Sequence, residues 1–528
     1  MEAGVVSIVP QPSTVETADG LFALHANTRI CVDAPLHSVA QTLVEQLAPA
    51  TGWRLTIVDN APQSDTIFFK TASRDDLGDE GYRLSVTPQR VTIEAATPAG
   101  AFYATQTLRQ LLPADIFRAA PVEGVAWTIP AVRIEDRPRY RWRGLMLDPA
   151  RRFLPKHVIL RMIDLMALHK LNTLHLHLTD DQGWRIEIRK YPRLTEVGAW
   201  RSGTLIGHYR DEPRRFDGVR HGGYYTQADL REIVAYAAQR HIAVVPEIEM
   251  PGHATAALAA YPEFGTSGAA VEVSSVWGVH RNLFAPRAET FAFLKDVLTE
   301  VMAIFPGRFI HVGGDEAVKD QWQQSDAVQA RIRELGLTDE SELQSWFIRS
   351  IDAFLTEHDR RLVGWDEILE GGLAPGATVM SWRGLDGGIA AARAGHDVVM
   401  APTSHTYFDY YQSKDTAHEP LAIGGFLPLE RVYAFEPTPP GLTPQQKRRI
   451  LGAQGQLWGE YIGDPLKLEY MAFPRVCALA EVVWSPADVR DYDDFLSRLR
   501  MHLKRLDVLS VPYRRLDSPA ASGRRPEE

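Results

Sequence analysis

The sequence predicts an α/β protein: a (β/α)8 TIM barrel preceded by a smaller α+β domain. Three observations carry that expectation. Between residues 143 and 460, eight short apolar runs alternate with stretches of helical periodicity, as a closed parallel barrel requires. Nearly every run ends on a polar or aromatic side chain, at the strand end where such barrels keep their chemistry. An open doubly wound sheet would alternate in a similar way, but the glycine-rich phosphate loop of that class is missing after the first strand.

Residues 1–137 read as the α+β domain, 138–510 as the barrel and 511–528 as a polar tail. In the first part, 66–70 and 82–86 read as strands, and 90–96 alternates apolar and polar positions like a hairpin partner. A helix is expected over 98–112, with Pro98 near its start and Pro113 just past its end. The polar stretch 135–139 reads as the extended junction. Barrel strands are expected at 144–148, 173–180, 242–249, 308–316, 362–365, 378–382, 397–401 and 451–458.

The intervening helices carry their own signals. One begins at Pro155 with apolar positions 158, 159, 162, 163 and 166. Thr226 followed by Asp229 three residues on resembles a capping box, before a helix reaching Arg240. Others run over 289–305, stopped by Pro306, over the amphipathic 343–355, and over 491–506.

Composition sets limits on function. Of 528 residues, 45% are hydrophobic and 23% charged, which is ordinary for a folded soluble chain. A barrel absorbs about 250 residues or more as one unit, so two domains are expected. The net charge of −10 argues against a polyanionic partner such as nucleic acid. Cys31 and Cys477 are too few for a disulfide framework. No apolar stretch reaches the roughly 18 residues of a membrane span. The N-terminus lacks a basic n-region and a long apolar h-region, so a cytoplasmic location is the default, and a periplasmic or secreted one applies if a leader was trimmed. Residues 517–528 are expected to be disordered.

The fourth run, R-F-I-H-V-G-G-D-E over 308–316, closes on Asp315 and Glu316. Neighbouring side chains of a regular strand point to opposite faces, so both acids reach one pocket only if Gly313 and Gly314 allow a twist or bulge. A solvated acid pair is the bland alternative; the barrel strand terminus turns the balance toward sugar chemistry. Like charges so close raise the pKa of one member, suiting it to general acid work. In the second run the leucines at 174, 176 and 178 face the helices, placing His175, His177 and Thr179 inside the barrel. Histidines two apart can bind a metal, but no matching ligand set shows at the other strand ends, so hydrogen-bonded core residues are favoured. Asp180, at the mouth, is the better candidate.

Trp365, Trp382, Tyr407 and Trp458 end the later runs; together they would build a flat-walled apolar pocket for a sugar or acyl group. Arg151, Asp409 and Glu460 could hold sugar hydroxyls through charge-assisted hydrogen bonds, or be surface ion-pair members. His253, in Pro251-Gly-His253, could orient a carboxylate or cap a loop.

These segments together resemble glycoside hydrolase family twenty, the β-N-acetylhexosaminidases. The matching pieces are R-G-L-M-L-D-P-A-R (143–151), L-H-L-H-L-T-D-D-Q-G-W-R (174–185), P-E-I-E-M-P-G-H (246–253), H-V-G-G-D-E (311–316), G-W-D-E-I-L (364–369) and L-W-G-E-Y (457–461). Near the N-terminus, G-Y-R-L-S-V and A-F-Y-A-T-Q-T-L-R-Q-L-L look like the family's accessory domain.

The resemblance implies an exo-acting enzyme that removes terminal β-linked N-acetylglucosamine or N-acetylgalactosamine by a retaining, substrate-assisted (oxazolinium) route. By residue-by-residue match, Glu316 is the acid–base, Asp315 holds the acetamido N–H, and Tyr407 holds the acetamido oxygen. Trp365, Trp382 and Trp458 enclose the acetyl methyl; Arg151, Asp409 and Glu460 bind sugar hydroxyls. Asp180 and His253 support sugar binding and the acid–base glutamate respectively. The implied partner is a glycan with a terminal N-acetylhexosamine, with no nucleic acid or membrane, and the mechanism requires no cofactor and no metal.

The stretches 201–225 and 265–287 are expected to border the leaving-group side. Two alternatives stay open at this point: a metal-dependent barrel hydrolase built on His175 and His177, and a carbohydrate-binding relative without catalysis. Asp315, Glu316 and Tyr407 speak against the second.

Overall fold

A computed structural model describes residues 6–60 and 62–516; the tail expected to be disordered, 517–528, lies outside the described residues. Eight parallel strands close a barrel in chain order: Trp142–Leu147, Thr173–His177, Ala243–Glu247, Phe309–His311, Arg361–Trp365, Thr378–Ser381, Val398–Met400 and Ile450–Leu457. The last strand pairs with the first over 452–457 and 142–147, which closes the ring. Each expected run is a strand, though most stop short of the chemical residues that follow. The fourth is the extreme case, ending at His311 rather than Glu316.

Side-chain alternation decides what faces where. In the second strand Leu174, Leu176 and Leu178 join the core between strands and helices, while His175 and His177 point into the barrel. A separate apolar cluster of Trp142, Val245, Val363, Trp365, Met380, Val399 and Leu451 fills the barrel interior. The outer helices follow their sequence signals. Lys156–Leu168 buries Val158, Ile159, Met162, Ile163 and Met166. Thr226 caps Gln227–Ala238 in a reciprocal box with Asp229. Ala288–Ile304, Glu340–Glu357 and Tyr492–Val508 cover further faces.

The N-terminal domain holds a mixed seven-stranded sheet, in the order 14–23, 128–136, 82–86, 90–95, 66–71, 29–32 and 56–58. The expected hairpin of Tyr82–Val86 and Arg90–Ala95 is present, and Pro98–Leu111 forms the expected helix. The helix His37–Thr51 and the strands at 14–23, 29–32, 56–58 and 128–136 are additions to the sequence reading. The stretch assigned as junction overlaps the last of these strands, which continues to Asp136.

Asp136 pins the two domains together. Its carboxylate is buried and accepts from Tyr82 Oη (2.7 Å), Lys170 Nζ (2.9 Å), Trp484 Nε1 (3.0 Å) and the Ser13 backbone N–H (3.0 Å). Close by, Arg143 makes a forked pair with Glu80 at 2.7 and 3.1 Å, donating also to the Lys170 carbonyl. After the last helix the chain still packs on the barrel: Val511 is buried and the Arg514 N–H donates to the Phe473 carbonyl. Among the described residues no helix is long and apolar enough to cross a membrane.

Candidate active site

The centre of the site follows from how the fourth strand stops. After His311 the chain leaves extended geometry, with φ of +68° at Gly313, +89° at Gly314 and +45° at Glu316. Both glycines are required. A Cβ at 313 would lie 1.6 Å from Glu249 Oε2, and one at 314 would lie 2.6 Å from Ile368 Cγ2. The Gly314 carbonyl accepts from Gln344 Nε2 at 2.7 Å, and the Gly313 carbonyl accepts from the Trp365 N–H at 2.9 Å. This turn separates the acids: Asp315 is 8% exposed, whereas the Glu316 side chain is 37% exposed and faces the cleft.

Burial, with the negative charges of Glu316 and Glu247 adding to it, pushes Asp315 up to about 6 against the opposing pull of His253. Two neighbouring acids lead one to expect a raised member, and Asp315 is raised.

Behind both acids stands His253. Its Nε2 is 3.3 Å from Glu316 and 3.7 Å from Asp315; its Nδ1 is 3.2 Å from Asp180 and 3.1 Å from Asp181. Burial opposes a charge on this imidazole, but the surrounding carboxylates, Asp180 foremost, hold its pKa well above the usual histidine value. Asp180 was expected at the mouth. It is instead fully buried, because Thr179–Asp180 folds back as a short antiparallel ladder with Gly183–Trp184. There it accepts from Arg151 (2.7 Å) and His177 (2.8 Å), and these cations overcome burial to keep it well below the usual carboxylate range.

The cleft, about 570 Å³, is lined by every residue that the family resemblance matched to the site except Asp180 and His253, which lie behind it. Arg151 is fixed by Asp148 (3.0 Å), Asp180 and Gln182 (3.0 Å), with its guanidinium 5.0 Å from the Trp458 ring centre. Trp365 and Trp458 lie at 42° with centres 5.8 Å apart, and Trp382 stacks at 22° to Tyr407 with centres 6.3 Å apart. Burial pushes Asp409 above the usual range, raised further by Glu460, and pushes Glu460 up against the opposing pull of Arg151. The outer rim holds Tyr209, Arg210 and Trp277–Val279, from the two stretches expected to border it, plus Ile423–Gly425 from a loop that three unremarkable residues did not announce.

Several groups escaped the sequence reading. Trp382 Nε1 donates to Glu367 at 2.9 Å; burial and the charge of Asp315 push that carboxyl up to about 8. Glu249 is buried with both oxygens unpaired. Glu247 and His311 correct the expectation that no further donors accompany the histidine pair, since Glu247 lies 3.0 Å from His175 and 2.7 Å from His311, and bonds His177. Inward alternation in the third and fourth strands was the available signal. Three-atom sets that could hold a cation exist here, as His175–Glu247–His311 and His177–Glu247–Glu249. Both share the one Glu247 carboxylate, already surrounded by four side-chain nitrogens and sealed beneath Trp365, so they offer no open coordination position to a substrate.

Comparison with known proteins agrees with this architecture. The profile of glycosyl hydrolase family 20, catalytic domain, matches residues 140–487, and that of glycosyl hydrolase family 20, domain 2, matches residues 5–137. A beta-hexosaminidase of Porphyromonas gingivalis is 44% identical over 512 residues, covering 96% of this chain; the chain spans 64% of that relative's length. The solved GH20 beta-N-acetylhexosaminidase from Streptomyces coelicolor A3(2) is similar with a TM-score of 0.84 and 35% identity, over 98% of each chain. A GH20 exo beta-N-acetylglucosaminidase from Vibrio harveyi, solved in complex with N-acetylglucosamine, gives 0.85 and 34%, covering 97% of this chain and 79% of that one.

Proposed function

The chain belongs to glycosyl hydrolase family 20, and on that premise we propose that it removes terminal β-linked N-acetylglucosamine or N-acetylgalactosamine by a retaining, substrate-assisted route. The observation that carries this reading is the split of two consecutive acids: Asp315 buried against the aromatic pocket, Glu316 open to the cleft. One strand end can thereby serve two parts of one sugar.

In this reading the acetamido oxygen of the substrate attacks the anomeric carbon while Glu316 gives its proton to the leaving oxygen. The resulting oxazolinium-type intermediate is opened by water, whose proton returns to Glu316. Asp315 accepts the acetamido N–H and stabilises the positive charge that grows there, and the Tyr407 hydroxyl donates to the acetamido oxygen. Trp365, Trp382 and Trp458 confine the acetyl methyl so that its oxygen stays beneath the anomeric carbon, an orientation effect. Arg151, Asp409 and Glu460 bind the hydroxyls of the non-reducing sugar. Asp180 acts from behind, holding Arg151 and His253 rather than the sugar.

A series of aryl glycosides with increasing fluorination of the N-acetyl group tests the nucleophile. Fluorine weakens the amide oxygen, so rates are expected to fall steeply along the series; a flat series overturns the reading.

A further inference from the structure

A continuous line of side chains runs from the barrel interior to Glu316. Glu247, on the third strand, has its Oε1 held by the Trp365 indole N–H at 2.9 Å and lies 2.7 Å from His311 Nδ1. Its Oε2 is turned to the second strand, 3.0 Å from His175 and hydrogen-bonded to His177 Nδ1. His177 Nε2 donates to Asp180 Oδ2 at 2.8 Å, Asp180 Oδ1 meets His253 Nδ1 at 3.2 Å, and His253 Nε2 reaches Glu316 at 3.3 Å. Every member behind Glu316 is buried.

We propose that Glu247 and His177 are positioning residues for the acid–base step, acting through Asp180 and His253 to fix the imidazole proton that faces Glu316. The inference rests on the role proposed for Glu316. His177 has a carboxylate at each ring nitrogen, so both nitrogens donate and the ring is an imidazolium. It cannot then rotate or change tautomer without breaking one of the two bonds. Asp180 is likewise filled: His177 and Arg151 share Oδ2, while His253 and the Asp181 N–H share Oδ1. Charge alternates along the line, which makes each link a charge-assisted bond in a dry setting.

The surrounding groups agree with that state. Burial works against a charge on His177, but Glu247, Asp180 and Asp148 raise its pKa to about 10. His175 goes the other way, lowered by burial to about 4, so it adds no second charge beside Glu247. Glu249, 3.9 Å from His177 Nδ1, is held well above the usual carboxylate range by burial and by the charges of Asp315 and Glu247. On the cleft side Arg151, Asp181 and Asp315 face Asp180 and His253 directly.

The test replaces Glu247→Gln and, separately, His177→Gln, with Glu316→Gln alongside. The measurement is kcat/KM for aryl N-acetyl-β-hexosaminides of graded leaving-group pKa, across pH, after thermal unfolding confirms a folded chain. Loss of proton alignment is expected to cost at least ~10-fold more on the poorest leaving group than on the best. Glu247→Gln should also bring a new ionisation between about pH 6 and 9, as His177 loses its main partner. A uniform loss over all leaving groups with an unchanged pH profile in both variants overturns the inference. If Glu316→Gln itself shows no leaving-group dependence, the role of Glu316 fails instead.

Discussion

Trp382 donates its indole N–H to Glu367, a carboxyl that burial and Asp315 push up to about 8. An aromatic wall of the cleft is therefore anchored on an acid that resists ionisation. From the ordinary value of 4.5 up to about 8 the folded state binds more proton than the unfolded chain. The stability contributed by this group is present below pH 4.5 and is lost as pH rises through 8. Replacing Glu367→Gln removes that loss while keeping an acceptor for Trp382. The melting temperature of the variant minus that of the parent should grow between pH 4.5 and 8; a constant difference across that range counts against the raised carboxyl.

Asp315 has a kinetic counterpart. Its proposed work on the acetamido N–H requires the ionised form, and its pKa lies near 6. The kcat/KM should fall as pH drops through about 6, and Asp315→Asn should slow even activated aryl substrates by ~100-fold or more. An unchanged rate on those substrates removes Asp315 from the acetamido role.

Glu316→Gln should behave differently. Poor leaving groups need the proton most, so the loss should grow with leaving-group pKa, reaching ~100-fold or more on natural-type glycosides. Equal losses on good and poor leaving groups exclude it as the acid.

Arg151→Lys keeps a charge but gives up the guanidinium fork shared by Asp148, Asp180 and Gln182. A ~10-fold or larger loss in kcat/KM is expected, with both KM and kcat affected, because the fork proposed to bind sugar also steadies Asp180. A pure KM effect would separate Arg151 from the line of residues behind it.

Gly313→Ala tests the turn that divides the acids. Its Cβ would fall 1.6 Å from Glu249 Oε2 at a φ of +68°. Left-handed strain and overpacking together suggest a loss of about 3 kcal/mol, read by denaturant unfolding. Unchanged stability in that variant would show that the turn tolerates a side chain at 313.

Much of this was legible before folding. Strands such as Thr173–His177 and Arg361–Trp365 announce themselves because period-two alternation and apolar runs reflect burial on two faces. Trp365, Trp382, Tyr407 and Trp458 were found by type and place, since a strand end in a barrel leads to the rim. Other parts left no local trace. The strand Thr14–Ala23 is exposed except at Phe22, so its pairing with Thr128–Asp136 has no alternating pattern to reveal it. The helix His37–Thr51 is a partial case, since Val39, Ala40, Leu43, Val44 and Leu47 keep helical spacing but Pro49 and the lack of a side-chain cap blur its bounds. Asp180 could not be placed, because its burial depends on a two-residue ladder that reverses the chain. Glu247 looks like any strand carboxylate until closure of the ring brings three histidines from other strands around it.

The Asp136 junction has a consequence for how the two domains are inherited and lost. Lys170 belongs to the barrel, is fully buried, and among the described residues finds its counter-charge in Asp136 of the N-terminal sheet. A barrel severed from that sheet would lose the buried partner of the Lys170 ammonium and of the Trp484 indole, and would expose the apolar seam around them to water. The N-terminal domain is thus a structural complement that the barrel cannot shed, and the two should melt in one cooperative transition.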